Sequence, residues 1–248
     1  MTTYLALAGA AFVAGAIDAI SGGGGLIVIP ALLASGIDPV SAIATSKLQS
    51  SFGSGGALLT FARKREVDFH QATPVAAWSF AGGLGGARML QWFPPTALSA
   101  VMPLFLVVAA CFFSFTDLSA LRPAKAKRLL LLAIAAFVIG TYDGFFGPGA
   151  GAFYVMAALS FGGASLIGAI AQAKYFNVMS NLAALAIYIG SGHVLWRLGL
   201  VMAGASLLGG QLGTHLAIRF RAGIAKPLLV LMSLAFAVKL LPRSIIPW

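Results

Sequence analysis

Two lysines, Lys47 and Lys174, each stand inside a long apolar stretch, at matching positions of an internal repeat. The stretches run over 39–62 and 164–190. As helices rising about 1.5 Å per residue, each is long enough to cross a hydrocarbon core of about 30 Å. A charge near the middle of a bilayer costs roughly 2.5–3.5 kcal/mol on the insertion scale, so it survives where it faces a partner or a wet cavity. The chain must therefore fold so as to turn both cations inward. A cost incurred twice, in register, points to a site, and two cations point to an anion.

Composition fits a membrane-embedded chain. Of 248 residues 60% are hydrophobic and only 9% charged, against about 25% charged in an ordinary soluble domain. Apolar runs recur from end to end and leave no room for a separate soluble domain. The thirty glycines suit close helix packing in lipid. Cys111 is the single cysteine, which argues against a disulfide, a thiolate-bound metal and redox chemistry. The N-terminal run has the hydrophobicity of a signal peptide but lacks a basic first segment and recurs in the second half. It is expected to belong to the fold.

The net charge of +10 raises the question of nucleic acid, and its placement answers against it. Arg63, Lys64 and Arg65 form one cluster, Arg122, Lys125, Lys127 and Arg128 a second, and Arg219, Arg221 and Lys226 a third. All three fall between apolar runs, as cytoplasmic loop charges do under the positive-inside rule. No basic-aromatic motif of a nucleic-acid reader accompanies them.

The chain divides into two copies of one unit, over 1–120 and 121–248. Asp18 in GAIDAISGGGG aligns with Asp143 in GTYDGFFGPGAG, an offset of 125 residues (143 − 18). Lys47 aligns with Lys174 at an offset of 127 (174 − 47), and that offset then pairs Gly82, Gly83 and Gly86 with Gly209, Gly210 and Gly213. A constant offset across several landmarks is the mark of repetition. The loop after the Lys47 helix is basic and its counterpart nearly neutral, whereas the next loop reverses that bias. Such a swap is expected if the halves lie upside down relative to each other. Inversion needs an odd number of crossings per half. Five apolar elements are counted in each, over 4–20, 26–35, 39–62, 72–92 and 96–115 in the first. The second is too short to span and reads as a half-helix. The expected fold is an all-α polytopic integral membrane protein of two inverted repeats, with both termini outside.

Glycine runs break the apolar stretches at equivalent places: Gly22 to Gly25 in the first half, Gly147 to Gly151 around Pro148 in the second. Glycine costs about 1 kcal/mol relative to alanine inside a helix. A break here frees backbone N–H groups and sets a helix N-terminus at membrane depth, with Gly23, Gly24 and Gly149 as candidate donors. A tight turn or a close helix contact would use the same residues, but matched breaks are a pointer to a transporter site.

Ser50, Ser51 and Ser54 follow Lys47 at helical spacing, and Asn177 and Asn181 follow Lys174. Ser50 matches Asn177 and Ser54 matches Asn181 at the offset of 127. Neutral donors beside a cation can replace the hydration shell of an oxyanion, although serine and asparagine also serve as interhelical glue in membranes. Asp18 and Asp143 complete the set, bringing four matched charges to zero and suggesting Asp–Lys ion pairs. Asp18 is expected to answer Lys47. Such pairs would either hold the halves together or act as gates. Arg88, near a helix end, can snorkel to the interface. Enzymatic readings find little support: there are three histidines and six acids, with no HExxH, P-loop or nucleophile elbow.

With DAISGGGGLIVIPALLASG, ATSKLQSSFG, YDGFFGPGAGAF and AKYFNVMSNLAAL in view, nearly the whole chain resembles the TauE/SafE family of sulfite-exporter-like permeases. The KLQ sequence resembles one branch in particular. The resemblance implies transport of sulfur-containing anions such as sulfite, thiosulfate or organosulfonates across a prokaryotic cell membrane. The resulting expectation is a non-enzymatic permease working by alternating access, with no cofactor or metal. Its partners would be a small anion and the lipid bilayer, and a homo-oligomer is compatible with it. A proton-coupled carrier of another organic anion and a non-transporting scaffold are the alternatives.

Overall fold

The computed structural model describes residues 2–94 and 126–220, together with part of 96–124. The described residues form helices and no strand. The helices are α1 (Thr2–Ser21), α2 (Gly25–Ala34), α3 (Pro39–Arg63), α4 (Phe69–Leu90), α5 (Leu129–Phe145), α6 (Ala150–Gly162), α7 (Leu166–Gly190) and α8 (Trp196–Phe220). The fifth element expected in each half lies largely outside the described residues, as do Cys111, Arg122, Lys125, Arg221 and Lys226.

Local chemistry sets where the long helices begin. Asp38 caps α3 by accepting the Ser41 N–H at 3.0 Å, and Pro39 occupies the first turn, where a missing N–H costs nothing. Ser165 caps α7 in the same way through the Gly168 N–H at 3.2 Å. Burial pushes the Asp38 carboxyl up, but the hydrogen bonds from Ser41 and the nearby His193 outweigh it and hold the group below the usual carboxylate range. Asp68 caps α4 through the Gln71 N–H at 3.2 Å. That cap starts α4 at Phe69, ahead of the apolar run beginning at 72.

The helices pack reciprocally. α4 lies against α5 and α7, while α8 lies against α1 and α3. The fourth helix of each half thus rests on the first and third helices of the other, and α3 and α7 meet directly. Glycines make these approaches, in matched pairs. A Cβ on Gly82 would strike the carbonyl of Phe137, and one on Gly209 the carbonyl of Phe12; Gly86 meets Thr141 as Gly213 meets Ala16. The contacts therefore run in both directions between the matched helices.

Exposure is reversed relative to a water-soluble domain. Lys47, Gln49, Ser54, Lys174, Asn177 and Asn181 are buried, while Phe52 and Leu59 on α3, Leu182 and Ile189 on α7, and Leu208 and Leu212 on α8 are exposed. This suits lipid as solvent, where polar groups turn inward. Among the described residues α1 alone is long enough and apolar enough throughout to pass as a membrane span, whereas α2, α5 and α6 are apolar but shorter. α3 and α7 each have 25 residues, and the inward polar stripe lowers their mean hydropathy.

Gly86→Ala and Gly213→Ala should each destabilise the fold by about 1–3 kcal/mol, because a methyl group there meets backbone that cannot yield. Gly85→Ala is the control, since nothing lies within 4 Å of its Cβ position. Thermal melts in detergent should show lower midpoints for the first two and none for the third; equal midpoints would deny the close packing.

Candidate functional site

The two helix breaks cross at the centre of the molecule. The Ser21–Gly25 turn brings Gly22, at φ 82°, against Gly151 and Ala152, and sets the Cβ position of Gly25 3.0 Å from Pro148 Cα. Gly147, at φ 102°, takes the place in the second half that Gly22 takes in the first. α2 and α6 therefore start beside each other, and the polar stripes of α3 and α7 face them.

The four matched charges meet there as two ion pairs, each crossing between the halves. Lys47 Nζ lies 2.7 Å from Asp143 Oδ1, and Lys174 Nζ lies 2.8 Å from Asp18 Oδ2. This corrects the expectation that Asp18 answers Lys47. The reason is topological: α1 is covered by α8, which leaves the end of α1 facing α7 across the crossed breaks. Sequence proximity along one half gave no view of that.

Each carboxylate has further donors. Asp18 accepts from the Gly24 N–H at 3.3 Å and the Ser54 hydroxyl at 3.0 Å. Asp143 accepts from the Ser180 hydroxyl and from Asn177 Nδ2 at 3.4 Å. The cages are alike: one lysine, one hydroxyl and one amide N–H around each carboxylate. Ser54 and Asn177 also touch at 2.7 Å, so the two ion pairs belong to one network. Lys174 additionally donates to the backbone carbonyl of Asp18.

A cavity of about 20 Å³ opens onto this network, bordered by Asp18, Lys47, Ser50, Asp143, Asn177 and Asn181 and by the glycines of both breaks. One water-sized probe needs roughly 10–15 Å³, so a larger solute requires the walls to part. Of the residues singled out from the sequence, those six reach the wall. Ser54 sits behind it, bonding Asp18, and Lys174 is 0% exposed and sealed by Asp18. Among the glycines, Gly22, Gly25, Gly147 and Gly151 form the wall rather than Gly23, Gly24 and Gly149. Gly24 gives its N–H to Asp18, Gly23 accepts from Leu26, and Gly149 adopts φ 80° to start α6.

Ser180 escaped the sequence reading because its repeat partner is Gly53, so matching across halves discards it. Its place six residues beyond Lys174, on the Asn177 side of α7, was the available signal. Two further buried serines, Ser79 and Ser206, are also 127 apart and both tie one half to the other. Ser79 donates to the Phe176 carbonyl at 2.7 Å, and Ser206 accepts from the Gln49 side chain. Among the described residues no group of three or more His, Cys, Asp or Glu is placed to hold a metal ion.

Chemically, the site is a pair of carboxylates, each held by a lysine, a hydroxyl and an amide N–H, which are the groups that can bind an oxyanion. Breaking a buried pair on one side is strongly destabilising, by about 3–5 kcal/mol.

Residues 7–240 match the family model described as Sulfite exporter TauE/SafE. A protein of Sinorhizobium named probable membrane transporter protein ORF9 is 39% identical over 94% of this chain and 90% of its own length. The probable membrane transporter protein YfcA of Escherichia coli K12 is 36% identical over 94% of this chain and 88% of its own. A probable membrane transporter protein of Haemophilus influenzae is also 36% identical, over 92% and 91%. No solved structure matches.

Crossed pairing has a direct test. Asp143→Asn should cost about 3–5 kcal/mol by stranding Lys47, and Lys47→Met in the same chain should recover much of that loss, whereas Lys174→Met should not. For Asp18→Asn the rescuer should be Lys174→Met. Detergent melts of the two double-mutant cycles measure the coupling; rescue within each half instead would deny the crossed geometry.

Proposed function

This chain belongs to the sulfite exporter TauE/SafE family, a family of membrane transporters, and we propose that it carries a small sulfur-containing oxyanion or organosulfonate by alternating access. The observation that carries this is the cavity at the crossing of the two helix breaks, bordered by Lys47 and by neutral donors of both halves. Cation, hydroxyl and amide N–H are the groups that replace an oxyanion's hydration shell, and helix breaks at membrane depth are where transporter sites are built. The anion meets Lys47 first. Ser50, Asn177 and Asn181 complete its coordination, and Ser54 and Gly24 support the site by holding Asp18.

The two halves, over 1–120 and 121–248, are proposed to lie inverted in the prokaryotic cell membrane, each with five helical elements and both termini outside. The reversed charge bias of matching loops supports inversion, and the reciprocal packing of α4 and α8 is compatible with it. Rocking one half against the other would expose the cavity to each side in turn. Parting at the crossing also enlarges a space of about 20 Å³ enough to admit a sulfonate. Lys174, sealed against Asp18, acts at the pivot and contributes positive potential rather than direct contact.

Proteoliposomes loaded with sulfite, thiosulfate and alkylsulfonates in turn should show protein-dependent flux of at least one. Lys47→Met keeps much of the side chain's length while deleting its charge. Losing a charge-assisted hydrogen bond of about 1.5–3 kcal/mol should weaken anion affinity roughly ten- to a hundredfold. A carrier of other organic anions would move carboxylates in preference to the panel, and a scaffold would move nothing. Unchanged affinity in a folded Lys47→Met protein would remove the lysine from the site.

A further inference from the structure

We propose that the anion is carried together with a proton, and that Asp143 is the group that takes it. The inference rests on Lys47 being the anion's ligand. Although the repeat makes the two ion pairs equivalent in sequence, the structure makes them unequal. Lys47 and Asp143 both border the cavity, whereas Lys174 does not. Lys174 grips Asp18 through both its backbone carbonyl and its carboxylate. An anion arriving in the cavity therefore reaches Lys47, and the carboxylate it displaces is Asp143.

Charge decides what happens next. The network holds two lysines and two aspartates, so it is neutral before the anion arrives. A monoanion leaves it with one uncompensated negative charge among residues that are 0–5% exposed apart from Asp18, whose side chain is 17% exposed. A buried carboxylate that has lost its cation favours the neutral form, and one proton restores balance. The groups around Asp143 narrow the acceptor to one. α3 brings Lys47; α7 carries Lys174 and brings Tyr188; α6 brings Tyr154; and α5 itself carries Tyr142. The charges of α4, His70 and Arg88, are exposed, and α1 contributes Asp18. Both lysines serve as donors, and the buried tyrosine hydroxyls are spoken for: Tyr142 by Pro148, Tyr188 by Gly144, Tyr154 by Ser79. No histidine borders the cavity. Asp18 keeps Lys174, so Asp143 remains.

The exchange balances atom by atom. The hydrogen bond from Lys47 to Asp143 Oδ1 breaks, and one from Lys47 to an oxygen of the anion forms. A proton released by the buffer and delivered through the solvent bonds to the vacated Oδ1, while Ser180 and Asn177 continue to hold Oδ2. One monoanion with one proton moves no net charge, and affinity should rise by up to about tenfold for each unit fall in pH while Asp143 is the titrating group.

Methanesulfonate is a suitable probe, because it stays ionised across the working pH range and any titration belongs to the protein. Calorimetric titration of the wild-type protein in detergent, in buffers of different ionisation enthalpy, counts protons taken up per sulfonate bound. One proton per sulfonate is expected. In Asp143→Asn the uptake should vanish, binding should tighten because no carboxylate competes for Lys47, and the pH dependence should flatten. Wild-type binding without proton uptake would overturn the coupling while leaving the anion site standing. Uptake that persists in Asp143→Asn would overturn the assignment to Asp143. Failure of the wild type to bind methanesulfonate or any of the flux panel would overturn the anion site itself and the coupling with it. Should Asp143→Asn not fold, the wild-type proton count still decides the coupling, and Asp143→Glu decides the assignment: it should shift the pH midpoint of sulfonate binding, and an unmoved midpoint would overturn it.

Discussion

The described helices meet around one constraint: four charge-bearing side chains at the centre of the bundle, none of which can be left without a partner. The two Lys–Asp pairs at 2.7 and 2.8 Å meet that need, and they do so across the boundary between the halves. A pair within one half would leave the halves free to separate. A crossed pair makes the charge balance of each half depend on the other, so relative movement of the halves and rearrangement of the ion pairs become one event. In the proposed alternating access, that is the physical link between the buried electrostatic network and an opening to either side in turn. The proposed cycle also asks for a site that is not rigid: a network that would give up a carboxylate to accept a substrate needs a scaffold able to part at the same place.

Glycine supplies that scaffold. Gly22 and Gly147 take left-handed φ values at the two breaks, and a Cβ on Gly147 would stand 2.7 Å from Lys47 Nζ and 2.9 Å from Asp143 Oδ1. The residue that allows the chain to turn thus also leaves the space in which the ion pair forms. Outside the breaks, Gly82 and Gly86 on α4 and Gly209 and Gly213 on α8 let helices of opposite halves approach to backbone contact. Where backbones pack this closely in lipid, dispersion contacts replace the hydrophobic drive that water would provide.

Much of this was legible in the sequence, for reasons that can be named. Lys47 and Lys174 announced themselves by cost, Asp18 and Asp143 by matching offsets, and the breaks by runs of glycine that no continuous helix tolerates well. α3 and α7 begin where Asp38 and Ser165 can cap them, which a reader of local chemistry can find. Three things were hidden. The partner of each lysine depends on how α1 and α5 are covered by α8 and α4, which no local pattern reveals. Ser180 has no counterpart across the repeat, so symmetry concealed it. The inequality of the two lysines arises from a hydrogen bond to the Asp18 backbone, and backbone carbonyls leave no trace in sequence. Gly23, Gly24 and Gly149 lie one or two residues from the glycines that form the wall, because a glycine run fixes where a break falls but not which of its glycines borders the cavity.

The central claim is that a substrate anion takes the place of Asp143 on Lys47. A structure of the protein bound to an organosulfonate tests it most directly. The sulfonate oxygens should lie within hydrogen-bond distance of Lys47 Nζ, with Asp143 withdrawn toward Ser180 and Asn177 and the Lys174–Asp18 pair intact. A sulfonate bound elsewhere, with Lys47 and Asp143 still 2.7 Å apart, would contradict it.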